Sequence, residues 1–412
     1  MRRIPRWLRW IGTFLLWSVV AFCLALTVVP PFLDRIYYRG PVSAHFDGQH
    51  FFNPDGEDDR LSTTSSGSRW NFLLRQILGD PKKPVWPAHV AVTPAKPPQF
   101  VMGDDMLVTW VGHATLLVQA GGLNILTDPV WAKSAGPFGF GPTRVAEPGI
   151  RFEDLPPISI VLVSHNHYDH MDVATLKKLW DRDHPLIVTS LGNDAILRAA
   201  GIEAKALDWG GSVALDMPDG GPQFTSECAQ PVIWCRRPAV VHVMRNHHWD
   251  SRWFTDRNRA LWSSFVVELP GGNFFFSGDT GLGDGKWPAE AAALGPIRLA
   301  AIPIGAFRFE DGQMAAGSHI GPWDAIRVWD GLGRPFAVPI HWGTFRLSWE
   351  GYRTPPELLG AMERCAGVAP GRFAPAAIGE PVRVPALGGT PPAPDMAGID
   401  ACDKRGAFKA LR

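Results

Sequence analysis

A surplus of charge is the first thing missing from this chain: Lys plus Arg and Asp plus Glu are both 40, and beyond the N-terminus no long basic run occurs. Nucleic acid is held largely by positive charge set against phosphates, so no nucleic-acid partner is expected and a metal-dependent nuclease is disfavoured. Cysteine is scarce, 5 in 412 residues, and Cys23 lies in an apolar run. Cys228, Cys235, Cys365 and Cys402 permit disulfides, with Cys228 and Cys235 the local candidate pair. No Gly-Xaa-Ser-Xaa-Gly segment is present, so nothing points to a serine nucleophile on a strand-to-helix elbow. Disorder is excluded by a hydrophobic content of 46%, enough for a well-buried core.

What is present begins at the N-terminus. Arg2, Arg3, Arg6 and Arg9 precede a stretch from Ile11 to Leu33 that holds no charged residue, long enough to cross a bilayer. A cleaved signal peptide has a shorter apolar region and small residues at its cleavage site, so an uncleaved single-pass anchor is the expectation. The arginines should stay cytoplasmic, leaving the rest of the chain extracytoplasmic, in a bacterial cell the periplasm.

The organisation reads as an anchor over 1–35, an irregular arm over 36–100 wrapping a catalytic domain over 101–382, and a loose Gly- and Pro-rich tail over 383–412. One short helix is predicted near Trp70 to Leu78. From Met106 the pattern sharpens into strands: MLVTWVG, ATLLVQA, LNILTDP and ISIVLVS, with a helix capped by Asp172 and the strand LIVTS following. SSFVVELPGGNFFFSGDTG repeats the order of ATLLVQAGGLNILTDP, namely strand, Gly-Gly turn, Asn, strand, Asp. Two strand-rich halves with helices between them predict an α/β fold, two sheets packed face to face with helices outside, a four-layer αββα sandwich.

The segment SHNHYDHMD, residues 164–172, follows an apolar strand. Neutral imidazoles and carboxylates are ligands that zinc takes at about 2.0–2.2 Å, and His165 and His167, two apart on an extended segment, can point the same way. Asp169 and His170 can serve a second ion. Two ions need further ligands, and three distant places could supply them: His247 or His248 in NHHW, Asp279 after the strand FFF, and His341 after FAVPI. Asp279, His341 and His165 each end a predicted strand, so one edge of packed sheets can gather them. Asp128, in LTDP, is expected to orient its loop or to hold a ligand histidine from outside. Some of the 18 tryptophans are candidates for a membrane interface.

SHNHYDHMD fits the H-x-H-x-D-H pattern of the metallo-β-lactamase superfamily. With TWVGHATLLVQ, LTDPVW, GPTRVAEPGIRFEDLPPI, FFFSGDTG, AAIPIGAF and IHWGTF, the chain resembles the branch that hydrolyses N-acyl-phosphatidylethanolamine as phospholipase D, from about Val42 to about Met362. That resemblance implies one zinc on His165, His167 and His248, a second on Asp169, His170 and His341, and Asp279 bridging both. It places His319, in GSHIG, near the substrate phosphate, and puts His113 in the family pattern with a structural or supporting role. The anchor and the stretch between Asp216 and NHHW depart from the family pattern.

Two zinc ions about 3.5–4 Å apart can hold a hydroxide at neutral pH, which would attack phosphorus in line. The expected function is thus a membrane-anchored zinc phosphodiesterase acting on N-acyl-phosphatidylethanolamine-type phospholipids, with Asp279 and His319 as catalytic residues. The alternatives are a metal-dependent lactonase of the same superfamily and a noncatalytic anchored scaffold. Iron or manganese could occupy the same ligands.

Overall fold

The computed structural model describes residues 5–33, 35–56, 84–215, 239–253, 255–309 and 316–408. The helix expected near Trp70 to Leu78, the Cys228–Cys235 pair and the stretch after Asp216 lie outside the described residues. Met106–Gly112 (β1), Thr115–Ala120 (β2), Leu123–Thr127 (β3), Ile160–Val163 (β4), Leu186–Ser190 (β5) and Lys205–Leu207 (β6) belong to one sheet. Ser212–Leu215 (β7), Ala239–Met244 (β8), Ser264–Glu268 (β9), Asn273–Phe276 (β10), Ile297–Pro303 (β11) and Phe336–Ile340 (β12) form the other. Pro381–Arg383 (β13) returns to pair with β1, giving the orders β13-β1-β2-β3-β4-β5-β6 and β12-β11-β10-β9-β8-β7.

The internal repeat is visible as two hairpins, β2–β3 and β9–β10, each antiparallel and each turned by a Gly-Gly pair. Gly121, Gly122, Gly271 and Gly272 take φ of 57°, 80°, 76° and 121°, where a side chain would be strained. Beyond each hairpin the pairing becomes parallel: β3 with β4 and β5, β10 with β11 and β12. Because two antiparallel steps restore direction, β1, β3 and β4 run one way in their sheet, and β8, β10, β11 and β12 run together in theirs. Their carboxyl ends therefore gather at one edge of each sheet, where loops carry ligands in open α/β folds.

Strand residues alternate between two cores. Phe274 and Phe276 meet Val118, Ile125 and Leu162 between the sheets, while Phe275, Val266 and Ile302 face outward to Trp287, Ile326, Trp329 and Leu359. On the other side, Leu117, Leu126 and Val161 face Leu176, Leu179 and Leu197. Buried aromatic side chains of this kind contribute about 2–3 kcal/mol each, so FFF, apolar on both faces, marks a strand covered on both sides. The covering helices are Val173–Asp183 (α2), Asn193–Ala199 (α3), Trp287–Ala292 (α4), Pro322–Gly331 (α5) and Thr354–Ala366 (α6), after the N-terminal Arg6–Leu33 (α1). Asp172 caps α2 by accepting from the amides of Ala174 and Thr175. Two sheets packed face to face between helices make the four-layer αββα sandwich that the strand and helix pattern predicts.

The loose tail is a correction. Met396–Lys404 (α7), capped by Asp395, buries Ile399, and Phe408 beyond it is buried as well. A disulfide from Cys365 in α6 to Cys402 in α7 ties the segment down, across a sequence separation of 37 that no local spacing rule reveals. The arm is irregular where described, and Phe46 and Phe51 bury their rings against Leu261 and Trp262. Residues Arg9–Val29 of α1 have a mean hydropathy of 2.2, long and apolar enough to span a membrane or to serve as a signal sequence.

Candidate metal centre

Every candidate ligand lies just past the carboxyl end of a strand on the common edge: the 165–170 loop after β4, His248 after β8, Asp279 after β10 and His341 after β12. Three residues of this edge, His113, Asp128 and His341, hold φ of 54°, 30° and 63°, uncommon for side-chain-bearing residues and frequent at functional sites.

The geometry centres on Asp279. Its Oδ2 lies 3.0 Å from His341 Nε2, 3.2 Å from His170 Nε2, 3.8 Å from His319 Nδ1 and 4.0 Å from His248 Nε2. Asp169 Oδ2 is 3.5 Å from both His170 Nε2 and His341 Nε2. His165 Nε2 and His167 Nδ1 face each other at 2.8 Å. Possible ligand atoms of His165, His167, His248 and Asp279 all fall within 4.8 Å of one another, as do those of His113, Asp169, His170 and His341.

The donor set fits divalent cations. The Nε2 atoms of His170, His248 and His341 and Asp279 Oδ1 are buried without a hydrogen-bond partner, an arrangement that costs a folded protein unless something else binds those atoms. The outward-facing nitrogens, by contrast, are engaged: His165 Nδ1 with Ser164 Oγ at 2.9 Å, His170 Nδ1 with Asp128 Oδ2 at 2.6 Å, His248 Nδ1 with the Ser318 carbonyl at 2.8 Å, and His341 Nδ1 with the Gly305 carbonyl at 2.7 Å. Fixing the Nδ1 proton in this way aims Nε2 into the centre, where its lone pair is open to a cation once any Nε2 proton has left. Asp128 also accepts from the Ser164 amide and hydroxyl at 2.7 and 2.6 Å, joining the ends of β3 and β4.

Charge divides the cluster. Burial holds His167, His248 and His319 down to about 3 and His165 well below its ordinary value, so these imidazoles are neutral. Burial also opposes charge on His341, but Asp279 and Asp169 outweigh it and push the ring up to about 9. His170 is raised in the same way by Asp279, Asp169 and Asp128. Burial disfavours ionised Asp169 and Asp279, yet His170 and their other imidazole partners hold both well below the usual carboxylate range.

Of the doublet, His248 enters the cluster. His247 turns away, its Nδ1 3.0 Å from Asp55 Oδ1 and its amide on Thr280 Oγ1. His113 Nε2 lies 2.9 Å from Asp169 Oδ2 and orients that carboxylate. Several supports carry no sequence signal of their own. Arg252 donates to the carbonyls of Asn166 and Met171 at 2.9 Å each and lies over Tyr168, clamping the 165–170 loop, and the Asn166 amide donates to Asp250. The carbonyls of Ser318 and Gly305 could not be found from residue types, because every residue has one.

A sandwich with this His/Asp centre on its shared edge defines a metal-dependent hydrolase. The chain belongs to the beta-lactamase superfamily, matching the beta-lactamase superfamily domain over residues 123–342. It is 34% identical over 277 residues to N-acyl-phosphatidylethanolamine-hydrolyzing phospholipase D 1 of Caenorhabditis elegans, covering 64% of this chain and 72% of that protein. The mitochondrial N-acyl-phosphatidylethanolamine-hydrolyzing phospholipase D of Saccharomyces cerevisiae is 27% identical over 264 residues, 63% of this chain and 52% of that one. Among solved structures, the isothiocyanate hydrolase from Delia radicum gut bacteria aligns with a TM-score of 0.50 at 18% identity, over 68% of this chain and all of that one, a likeness of fold.

Proposed function

We propose that this protein is a membrane-anchored, zinc-dependent phosphodiesterase that hydrolyses N-acyl-phosphatidylethanolamine-type phospholipids to phosphatidic acid and an N-acylethanolamine. The observation that carries the reading is the cluster around Asp279 Oδ2, in a chain 34% identical to a relative named for that hydrolysis. His165 Nε2, His167 Nδ1 and His248 Nε2 would hold one ion, Asp169, His170 and His341 a second, with Asp279 between them. Bound there, two zinc ions would supply a nucleophilic oxygen at neutral pH and neutralise charge on the phosphoryl group.

The chain's own residues do the rest. Asp128 keeps the His170 proton on Nδ1, and His113 keeps Asp169 turned inward. His319, neutral and with a side chain only 8% exposed, stands beside Asp279 and can donate an N–H to a phosphoryl oxygen or to the departing alkoxide. Burial of the cluster keeps bulk water from competing for these contacts.

Arg9–Val29 would anchor the enzyme, with the N-terminal arginines cytoplasmic and the catalytic domain on the far side. The Cys365–Cys402 disulfide supports an oxidising compartment for that domain. The test is release of N-acylethanolamine from N-acyl-phosphatidylethanolamine in mixed micelles by the zinc-loaded full chain, with Asp279→Asn as control and a panel of lactones alongside. Lipid turnover lost in Asp279→Asn is expected. Bound zinc without lipid turnover would sink the substrate assignment, and lactone turnover would redirect it.

A further inference from the structure

Phe138 and Phe140, two residues apart, are 84% and 75% exposed, although large apolar rings in water are costly. They do not dangle. Their loop is closed by the Ser134–Thr143 bridge, by the Ala135 amide on the Pro142 carbonyl at 2.9 Å, and by Ser134 Oγ on the Gly139 carbonyl at 2.9 Å. Beneath it, the largely buried Arg144 guanidinium donates to the carbonyls of Ala132 and Val130 at 2.9 Å each and of Ala146 at 3.3 Å. The fold thus spends ordered structure on pushing two phenylalanines outward.

Their surroundings say into what. The Phe138 ring is 6.5 Å from Trp253, which lies five residues past His248 in the loop packed on the metal-binding segment. The Arg35 guanidinium lies 4.3 Å from the same Trp253 ring. Arg35 is two residues beyond Leu33, where the apolar helix α1 ends. Two residues reach about 7 Å at most, so the Trp253 ring, through the Arg35 side chain, is within roughly 20 Å of the end of the candidate span. Aromatic rings mixed with arginine suit the boundary between headgroups and acyl chains.

We propose that Phe138, Phe140 and Trp253 form a bilayer-docking surface that seats the catalytic domain on the membrane with the metal edge turned toward the lipid. The surface rests on α1 being a membrane anchor, and it explains why the exposed rings cluster beside the chain that leaves α1. The opposite edge, at the Gly-Gly turns, is then turned away. Leu387, 43% exposed and lying against Gly272, belongs to that opposite edge.

The experiment places p-benzoylphenylalanine singly at 138, 140 and 387 in the full chain, reconstituted in vesicles of phosphatidylethanolamine and phosphatidylglycerol, and measures lipid adducts after irradiation. Adducts at 138 and 140 exceeding those at 387 by on the order of tenfold are expected for an interfacial loop. Equal yields at all three positions, or cross-linked protein dimers at 138 and 140 in place of lipid adducts, overturn the proposal while leaving the anchor intact, provided that alkaline carbonate fails to extract the protein. Extraction by carbonate with no lipid adducts overturns both the anchor and the docking surface.

Discussion

Loading the metal centre must displace protons, and the number is legible from its charges. With His341 pushed up to about 9, that imidazole is about 99% protonated at pH 7, and removing its proton there costs about 3 kcal/mol. His170 is raised as well. A cation needs both rings neutral, so its apparent affinity at the Asp169, His170 and His341 ligands rises with pH. The sign follows directly: below pH 9 the proton competes with the metal, and above it the competition vanishes. One displaced proton gives about tenfold in affinity per pH unit from 7 to 9, and a second makes the rise steeper. His167 and His248, held near 3, and His165, also depressed, carry no proton to displace, so binding through them should be flat across the same range. Calorimetric titration of chelator-stripped protein with zinc, in buffers of different ionisation enthalpy at pH 7, counts the protons directly. The expected result at pH 7 is one to two protons from His341 and His170 together with up to one from the water that becomes the nucleophilic oxygen, the imidazole share falling toward zero at pH 10. No release at pH 7, or release confined to pH below 5, would refute the charge assignment.

Asp128→Asn leaves the shape of the His170 contact but removes the charge that fixes its Nδ1 proton, and should weaken zinc binding about 10–100-fold, read by competition with a chelating dye. Replacing Cys365 and Cys402 together by alanine frees a loop with a sequence separation of 37, and chain entropy puts the loss at about 4 kcal/mol, measured by denaturant unfolding without reductant. A loss under about 1 kcal/mol would mean that α7 holds its place through packing alone. Burial pushes Glu363 up to about 7, with its Oε1 lacking a hydrogen-bond partner. Its raised pKa means that the stability it permits is fully present below about pH 4.5 and lost as pH rises through 7, so Glu363→Gln should stabilise the protein by about 1–2 kcal/mol at pH 8, allowing for partial exposure, and change little at pH 4.

Much of the architecture was open to reading from the chain. MLVTWVG, LIVTS and FAVPI match β1, β5 and β12 residue for residue, because strands buried on one or both faces leave apolar runs ended by turn residues. The paired Gly-Gly hairpins were legible because left-handed turns restrict residue choice. The tail was not: Gly and Pro around 385–395 obscured α7, whose place depends on a disulfide partner in α6 and on apolar contacts that composition does not record.

At the centre, residue type and local spacing determined which side chains could take a metal, since His165, His167, Asp169 and His170 lie within one short loop. Residue type alone left His247 and His248 equal in NHHW, the family resemblance favoured His248, and the backbone after β8 turns His248 toward Asp279 and His247 toward Asp55. Ligand chemistry is a property of the side chain and survives in sequence. Which lone pair faces which depends on distant strands, on carbonyls that every residue shares, and on charges meeting across the fold, as Asp279 meets His341 at 3.0 Å. Those relations exist only once the two sheets have closed on each other.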